Sequence, residues 1–356
     1  MSSPHTMKVV SSAHVERVRE LKEKDLLRCD WLRDRVQAWK KEVIELNELG
    51  EVFDCVDIYR QPAFDHPLMK NHVLQMKPSS YPKGFPFKYS SAANTTKAQL
   101  GRIPCPAGTI PVLRNNSVER LPQDFSTILG GQLAIISTSD KIYGAHASFS
   151  IWKPVVKGYG DISATVMNVL NGRPGEDLEG IGAGSLRELQ NKPCFDLQCK
   201  GFVQVGKFAL GQQITPVSVY KGKQVALTFL LFQDPKTKDW WLVVDDKPVG
   251  YWPSFLFTNL KGRASMASFG GYVWGPTIKK QPPEMGSGHS AAEGELRAAY
   301  ARNVKIVNIE NLLTDLDRER TTCQATKPRC YSVDAFDYNS DGAHMFYGGP
   351  GGRCGY

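Results

Sequence analysis

From residue 119 onward the chain alternates short apolar runs with turn formers. GQLAIIST, YGAHASFSIW, DISATVMNVL, FVQVG, QVALTFLLF, WWLVVDD and ASMASFGGYVW follow one another closely, with Gly, Pro or Asp-Lys between them. In SATVMNVL the alternation has the period of two that a half-buried strand requires. DWWLVVDDKPVGYW reads as a hairpin around Asp246-Lys247. Many short strands and few long helical patterns predict an all-β body, an antiparallel sandwich or barrel.

Two earlier regions have other patterns. Cys29, Leu32, Val36, Trp39, Val43 and Leu46 step by three and four among Lys, Arg and Glu, which predicts an amphipathic helix within residues 13 to about 50, closed by Gly50 as a C-cap. The seam is too short for a coiled coil, so it reads as one peripheral helix docked on the body or on a partner. Between residues 51 and 118, prolines crowd QPAFDHP, MKPSSYPKGFPF and CPAGTIPVLR. Each fixes its own φ and removes a donor, so this stretch is expected to be extended and loop-rich, without a large core of its own. The expected organisation is therefore a helical extension at 1–50, a proline-rich segment at 51–118 and a β domain at 119–356.

Charge and cysteines narrow the function classes. The net charge of +8 comes from scattered Lys and Arg, with no aromatic-interleaved basic stripe or zinc-finger spacing, which argues against nucleic-acid binding and for an ordinary basic surface. No apolar run approaches the ~20 residues of a membrane span, and no secretory signal peptide is read in the first twenty residues. Eight cysteines and sequons at Asn94 and Asn115 point the other way, to an oxidising compartment. The spacing of Cys194 and Cys199 has no matching second knuckle, and the histidines lack HExxH, so neither a metal site nor a cofactor is expected. His289 reads as a loop or core histidine. Ser287, between Gly286 and Gly288, lacks the GxSxG spacing of a hydrolase elbow. The glycine-rich run 348–352 lacks the Lys-Ser or Lys-Thr of a phosphate loop and reads as a turn.

SFGGYVWGP, residues 268–276, carries the candidate chemistry. Paired glycines such as Gly270 and Gly271 let a backbone or a ligand come close, which marks a cleft strand. The next residue, Tyr272, is a phenol titrating near ~10 and is no obvious acid, base or nucleophile near neutral pH.

FDCVDIYRQPAFDHPLMKNH, CPAGTIPVLR, CFDLQCKGFVQV, QITPVSVYKGKQ, WWLVVDDKPVGYWPSFLF, EMGSGHSAAEGELRAAYARNV and CYSVDAFDYNSDGAHMFYGGPGGRC together resemble the neprosin family of plant proteins, whose active members are secreted glutamic endopeptidases that prefer to cut near proline. The resemblance runs from about residue 51 to the C-terminus. It implies a strongly bent antiparallel β-sandwich, an activation segment at 51–118, an extracellular location, and disulfides Cys55–Cys105, Cys194–Cys199 and Cys330–Cys354, with Cys29 and Cys323 unassigned.

A glutamic peptidase needs one ionised carboxyl to take a proton from the attacking water and one protonated carboxyl to donate. The resemblance places these glutamates after the paired glycines, where this chain has Tyr272, and within the run DLEGIGAG, where it has Gly182. Both positions lack a carboxyl group. The stretch Ser185 to Pro193 is also shorter than its counterpart in the family, which predicts the loss of one strand pair of the cleft wall.

Three readings follow. In the first, a noncatalytic protein binds a peptide, a proline-rich protein or a cell-wall polymer in the former cleft. In the second, an acid peptidase uses relocated Glu176, Glu179 or Glu188. In the third, a carbohydrate-binding or structural sandwich stacks Trp240, Trp241, Tyr251 and Trp252 on sugar rings. Against the third stands the habit of strand aromatics to pack in the core, and the paired acids of GRPGEDLEG read by default as a solvated loop.

Overall fold

The computed structural model describes residues 8–15, 44–46, 50–85, 95–98, 100–101, 103–114, 131–188, 197, 201–334, 336–339, 342–352 and 354, with backbone alone at 8–15, 44–46, 186–188 and 339. In chain order the strands are β1 (Lys8–Val15), β2 (Ile44–Leu46), β3 (Val52–Asp57), β4 (Thr95–Lys97), β5 (Thr109–Leu113), β6 (Gln132–Ile142), β7 (Gly144–Ser150), β8 (Ile162–Asn171), β9 (Glu179–Glu188) and β10 (Val203–Gln204). They continue with β11 (Gln224–Gln233), β12 (Trp240–Val244), β13 (Lys247–Trp252), β14 (Ala264–Trp274), β15 (Ala299–Val307), β16 (Leu313–Asp315), β17 (Thr321–Ala325), β18 (Ser332–Val333), β19 (Asp337–Asn339) and β20 (Gly342–Gly348).

Two sheets make the sandwich. One runs β1-β9-β8-β14-β6-β17, and the larger runs β10-β13-β12-β11-β7-β15-β20-β18 with β4, β16 and β19 attached. Ladders between these strands are antiparallel apart from the short β4–β11 pair. The period-two alternation decides which residues meet between the sheets. Ala267, Phe269 and Val273 of β14, Met167 and Val169 of β8, and Ile181 of β9 are buried on the inner face. Gly271, without a side chain, admits Met285 and Tyr347, and Tyr347 OH pairs with Thr165 Oγ1 at 2.7 Å across the sandwich.

Residues 51–85 run over the larger sheet on the face that carries Phe232, Trp241 and Tyr251. Tyr81 packs on Phe232, His72 Nε2 lies 2.7 Å from Tyr251 OH, and Gln75 Nε2 donates to Asp239 at 2.6 Å. Gln61 Nε2 donates to the Gln204 carbonyl at 3.1 Å while its Oε1 accepts Gln204 N–H at 2.7 Å, so a side chain stands in for a missing strand at the edge of β10. The small sheet β2-β3-β5 and the Cys55–Cys105 disulfide tie this segment to itself, and Ile58, Ala63 and Met69 join the core of the body. No helix among the described residues is long and apolar enough to cross a membrane.

Some expectations change. The segment expected as a helix over 13 to about 50 has strands at both described ends, Ala13–Val15 within β1 and Ile44–Leu46 within β2, and residues 16–43 lie outside the described residues. Backbone pairing with β9 and β3 outweighs the 3.6-residue periodicity there. The hairpin turn centres one residue earlier than read, on Asp245-Asp246, whose φ values of 45° and 65° both suit a two-residue turn of the I′ kind. Trp240, Trp241, Tyr251 and Trp252 are all buried, so they offer no sugar platform: Trp240 hydrogen-bonds the Leu260 carbonyl, and Trp241 stacks on Tyr251 under the proline-rich segment.

Candidate functional site

Strand β14 sits in the middle of the smaller sheet, between β8 and β6. From Met266 to Trp274, beyond the register shift that leaves Ala264 in the core, its even-numbered residues face outward, away from the sandwich core. Gly270 adopts φ +140°, and a Cβ there would meet the Ala134 carbonyl and Ile135 Cα of β6, so the position demands glycine. Tyr272 also faces outward. Its ring lies directly over Gly131, where a Cβ would collide with it, and beside Ile162, Ala164, Val166 and Trp274. Burial holds the phenol pKa well above its ordinary value, so the group stays protonated throughout the acid and neutral range.

Gly182 lies on the same outer face, two strands away on β9. It pairs with Asn168 of β8, which pairs in turn with Ser268 of β14, whereas Tyr272 pairs with Ala164. The two positions are therefore diagonal, about 16 Å apart on a flat sheet by strand rise and spacing and closer on a bent one. Two glutamates there would span most of that distance and leave room for a water and a carbonyl. The Asn168 side chain fills the space where a Cβ on Gly182 would stand, and its Nδ2 donates to Ser268 Oγ at 3.4 Å.

Register makes this line continuous across the sheet. Ser12, Gly182, Asn168, Ser268, Ser137 and Thr322 form one row from β1 to β17. The neighbouring row, Val10, Gly184, Val166, Gly270, Ile135 and Gln324, has small or uncharged residues, and Lys8, Leu186, Ala164, Tyr272 and Leu133 form the next. Glu188, in register with Ile162, is the one carboxylate residue at an outer-facing position of β8, β9 and β14. Among the described residues the centre of the face offers neutral hydroxyls and an amide beside an aromatic ring, with Lys8 and Glu188 at register positions on its margin and no pair of carboxylates.

The candidate replacement acids occupy three different settings. Glu176 is an exposed turn residue paired with Arg173 at 2.8 Å. Glu179 faces inward and is 3% exposed; its carboxylate accepts the amides of Thr258, Asn259 and Leu260 at 2.8–3.0 Å and so anchors that loop. Of the three, only Glu188 has its backbone position on the outer face near Tyr272.

The resemblance-derived pairs Cys55–Cys105 and Cys330–Cys354 are disulfides with Cα separations of 5.5 and 5.0 Å. Cys194, Cys199 and Cys29 lie outside the described residues, as do Asn94 and Asn115. Cys323 is a free, exposed cysteine on β17. His289 is a loop residue whose Nδ1 lies 2.9 Å from Glu293 and whose ring stacks on Tyr220. Ser287 Oγ accepts the His289 backbone amide.

Sequence reasoning missed Asn168 and β1. The alternation in SATVMNVL already placed Asn168 on the same face as Ala164 and Val166, and Gly180, Gly182 and Gly184 in EGIGAG share that period. What the sequence hides is the ladder that brings these strands together.

Two family models match this chain. The Neprosin model matches residues 185–350 and the Neprosin activation peptide model matches residues 46–126, and together they cover more than half of it. Tyr272 falls within the first match, and Gly182 lies just before it. With both parts in this order on a disulfide-linked antiparallel β fold, the chain belongs to the neprosin family.

Proposed function

We propose that this neprosin-family protein is a noncatalytic relative of the glutamic endopeptidases that binds an uncharged polymer, a proline-rich peptide or a cell-wall chain, on the outer face of the smaller sheet. The observation that carries the reading is that, among the described residues, the face that holds Gly182 and Tyr272 has no pair of carboxylates. A protonated phenol donates a hydrogen bond to a bound carbonyl but takes no proton from water at acid pH. Glycine supplies nothing, and the Asn168 amide beside it is neutral. A row of hydroxyls and an amide suits a ligand that carries hydroxyls or peptide groups and no charge. The disulfides accord with an extracellular protein.

Isothermal titration of the purified chain with a proline-rich protein and with a neutral cell-wall polysaccharide tests the binding. At least one should bind, and the Asn168→Ala and Tyr272→Ala variants should weaken it several-fold while Glu176→Ala leaves it unchanged. Binding unaffected by both outer-face variants would move the ligand elsewhere.

A second reading, an acid peptidase with a relocated carboxylate, is favoured by one observation, the outer-facing register of Glu188. Under that reading Glu188→Ala abolishes a cleavage that the parent performs.

A further inference from the structure

β9 leads into the stretch Ser185 to Pro193, whose shortness predicts the loss of a strand pair, and β1 lies along its edge. The ladder is unbroken over eight residues, from Lys8 opposite Leu186 to Val15 opposite Glu179. β1 arrives from the far end of the chain, with β9 as its sole ladder partner among the described strands. Every outer-facing position of β9 from Gly180 to Gly184 is glycine, so the acceptor strand itself presents backbone on that face, with Asn168 and Leu170 of β8 reaching over it. Ser12 stands directly opposite Gly182.

We infer that the edge of β9 is a strand-accepting site, filled in cis by Lys8–Val15 and open to an extended peptide with a small, uncharged centre when that strand is displaced. Main-chain hydrogen bonds supply affinity in such additions, and alternate side chains supply selectivity. The chemistry of the occupant is written in β1: Val9, Val10, Ser11, Ser12 and Ala13 are small or β-branched and uncharged, which suits a pleated neighbour with glycines opposite. The site differs from the outer-face row, because it uses the strand edge rather than side chains, and it does not depend on whether the protein cleaves anything. A strand held by a single ladder at a sheet edge is also the one most readily exchanged.

A fluorescent peptide of the sequence KVVSSAHV tests this by anisotropy against three forms: the unmodified chain, a chain lacking residues 1–15, and the full chain carrying Ser12→Pro and Ala13→Pro together, which removes donors at two adjacent positions of β1. The shortened chain and the proline variant should bind the peptide at least tenfold more tightly than the unmodified chain, and a peptide with the same two prolines should not bind. Equal, absent or proline-insensitive binding by folded variants overturns the inference. Should the variants fail to fold, hydrogen exchange on the unmodified chain decides. The amides of β1 and their partners on β9 should exchange faster than those between β8 and β14, and added peptide should slow the β9 amides. Exchange as slow as in β8 would contradict it.

Discussion

At the scale of single residues the account rests on what stands at two positions and what surrounds them. A glutamate at 182 requires the Asn168 amide to swing aside and the Met167 carbonyl, 3.0 Å from the new Cβ, to give by a few tenths of an ångström, and a glutamate at 272 vacates the ring space over Gly131. Because acid and base act as a unit, neither Gly182→Glu nor Tyr272→Glu alone should yield cleavage, and the double variant should be the first form that cuts a proline-containing peptide at acid pH. Cleavage by a single variant equal to that of the double would show that the two positions do not cooperate. Glu179 offers a contrasting test. Glu179→Ala strands loop amides that its carboxylate now satisfies, which should cost about 3 kcal/mol in urea unfolding, with a smaller loss for Glu179→Gln. A catalytic Glu179 would instead give variants of unchanged stability.

At the scale of elements, the joint between β7 and β15 carries a pH dependence. His146 of β7 is fully buried, its Nδ1 hydrogen donates to the Asn303 carbonyl at 2.9 Å, and Asn303, at φ +49°, sits in the irregularity of β15 between Arg302 and Lys305. Burial lowers the imidazole pKa to about 4 from the 6.5 of an exposed histidine, with Lys305 adding in the same direction and the Asn303 bond opposing. The folded value lies below the unfolded one, so the unfolded chain binds the proton first as pH falls. The contribution is present above pH 6.5 and is lost progressively toward pH 4, on the order of 3 kcal/mol in total. His72, at the joint between the proline-rich segment and Tyr251, shifts in the same direction because burial outweighs the pull of Asp239. Thermal melts should therefore show a stability that falls from pH 6.5 to 4, and His146→Gln should be weaker at neutral pH but show a shallower fall. An equal slope in parent and variant would remove His146 from the explanation.

For the molecule as a whole, the β fold was legible because its strands carry a period-two pattern that local chemistry writes directly. QVALTFLLF became β11 and ASMASFGGYVW became β14, with Gly270 held by a close backbone approach as paired glycines suggest. The pairing of distant strands was not legible. KVVSSAHV joins β9 through backbone groups that every sequence possesses, and the strong helical periodicity after residue 28 masked it. That Gly182 and Tyr272 carry no carboxyl group is plain in the sequence, whereas the Asn168 amide beside Gly182 needed the ladder between β8 and β9. The most direct test is incubation of the purified chain with a proline-rich protein between pH 3 and 6, with products mapped by mass spectrometry. The account predicts an intact substrate; specific cuts near proline that disappear in Glu188→Ala would contradict it and assign the chemistry to a relocated glutamate.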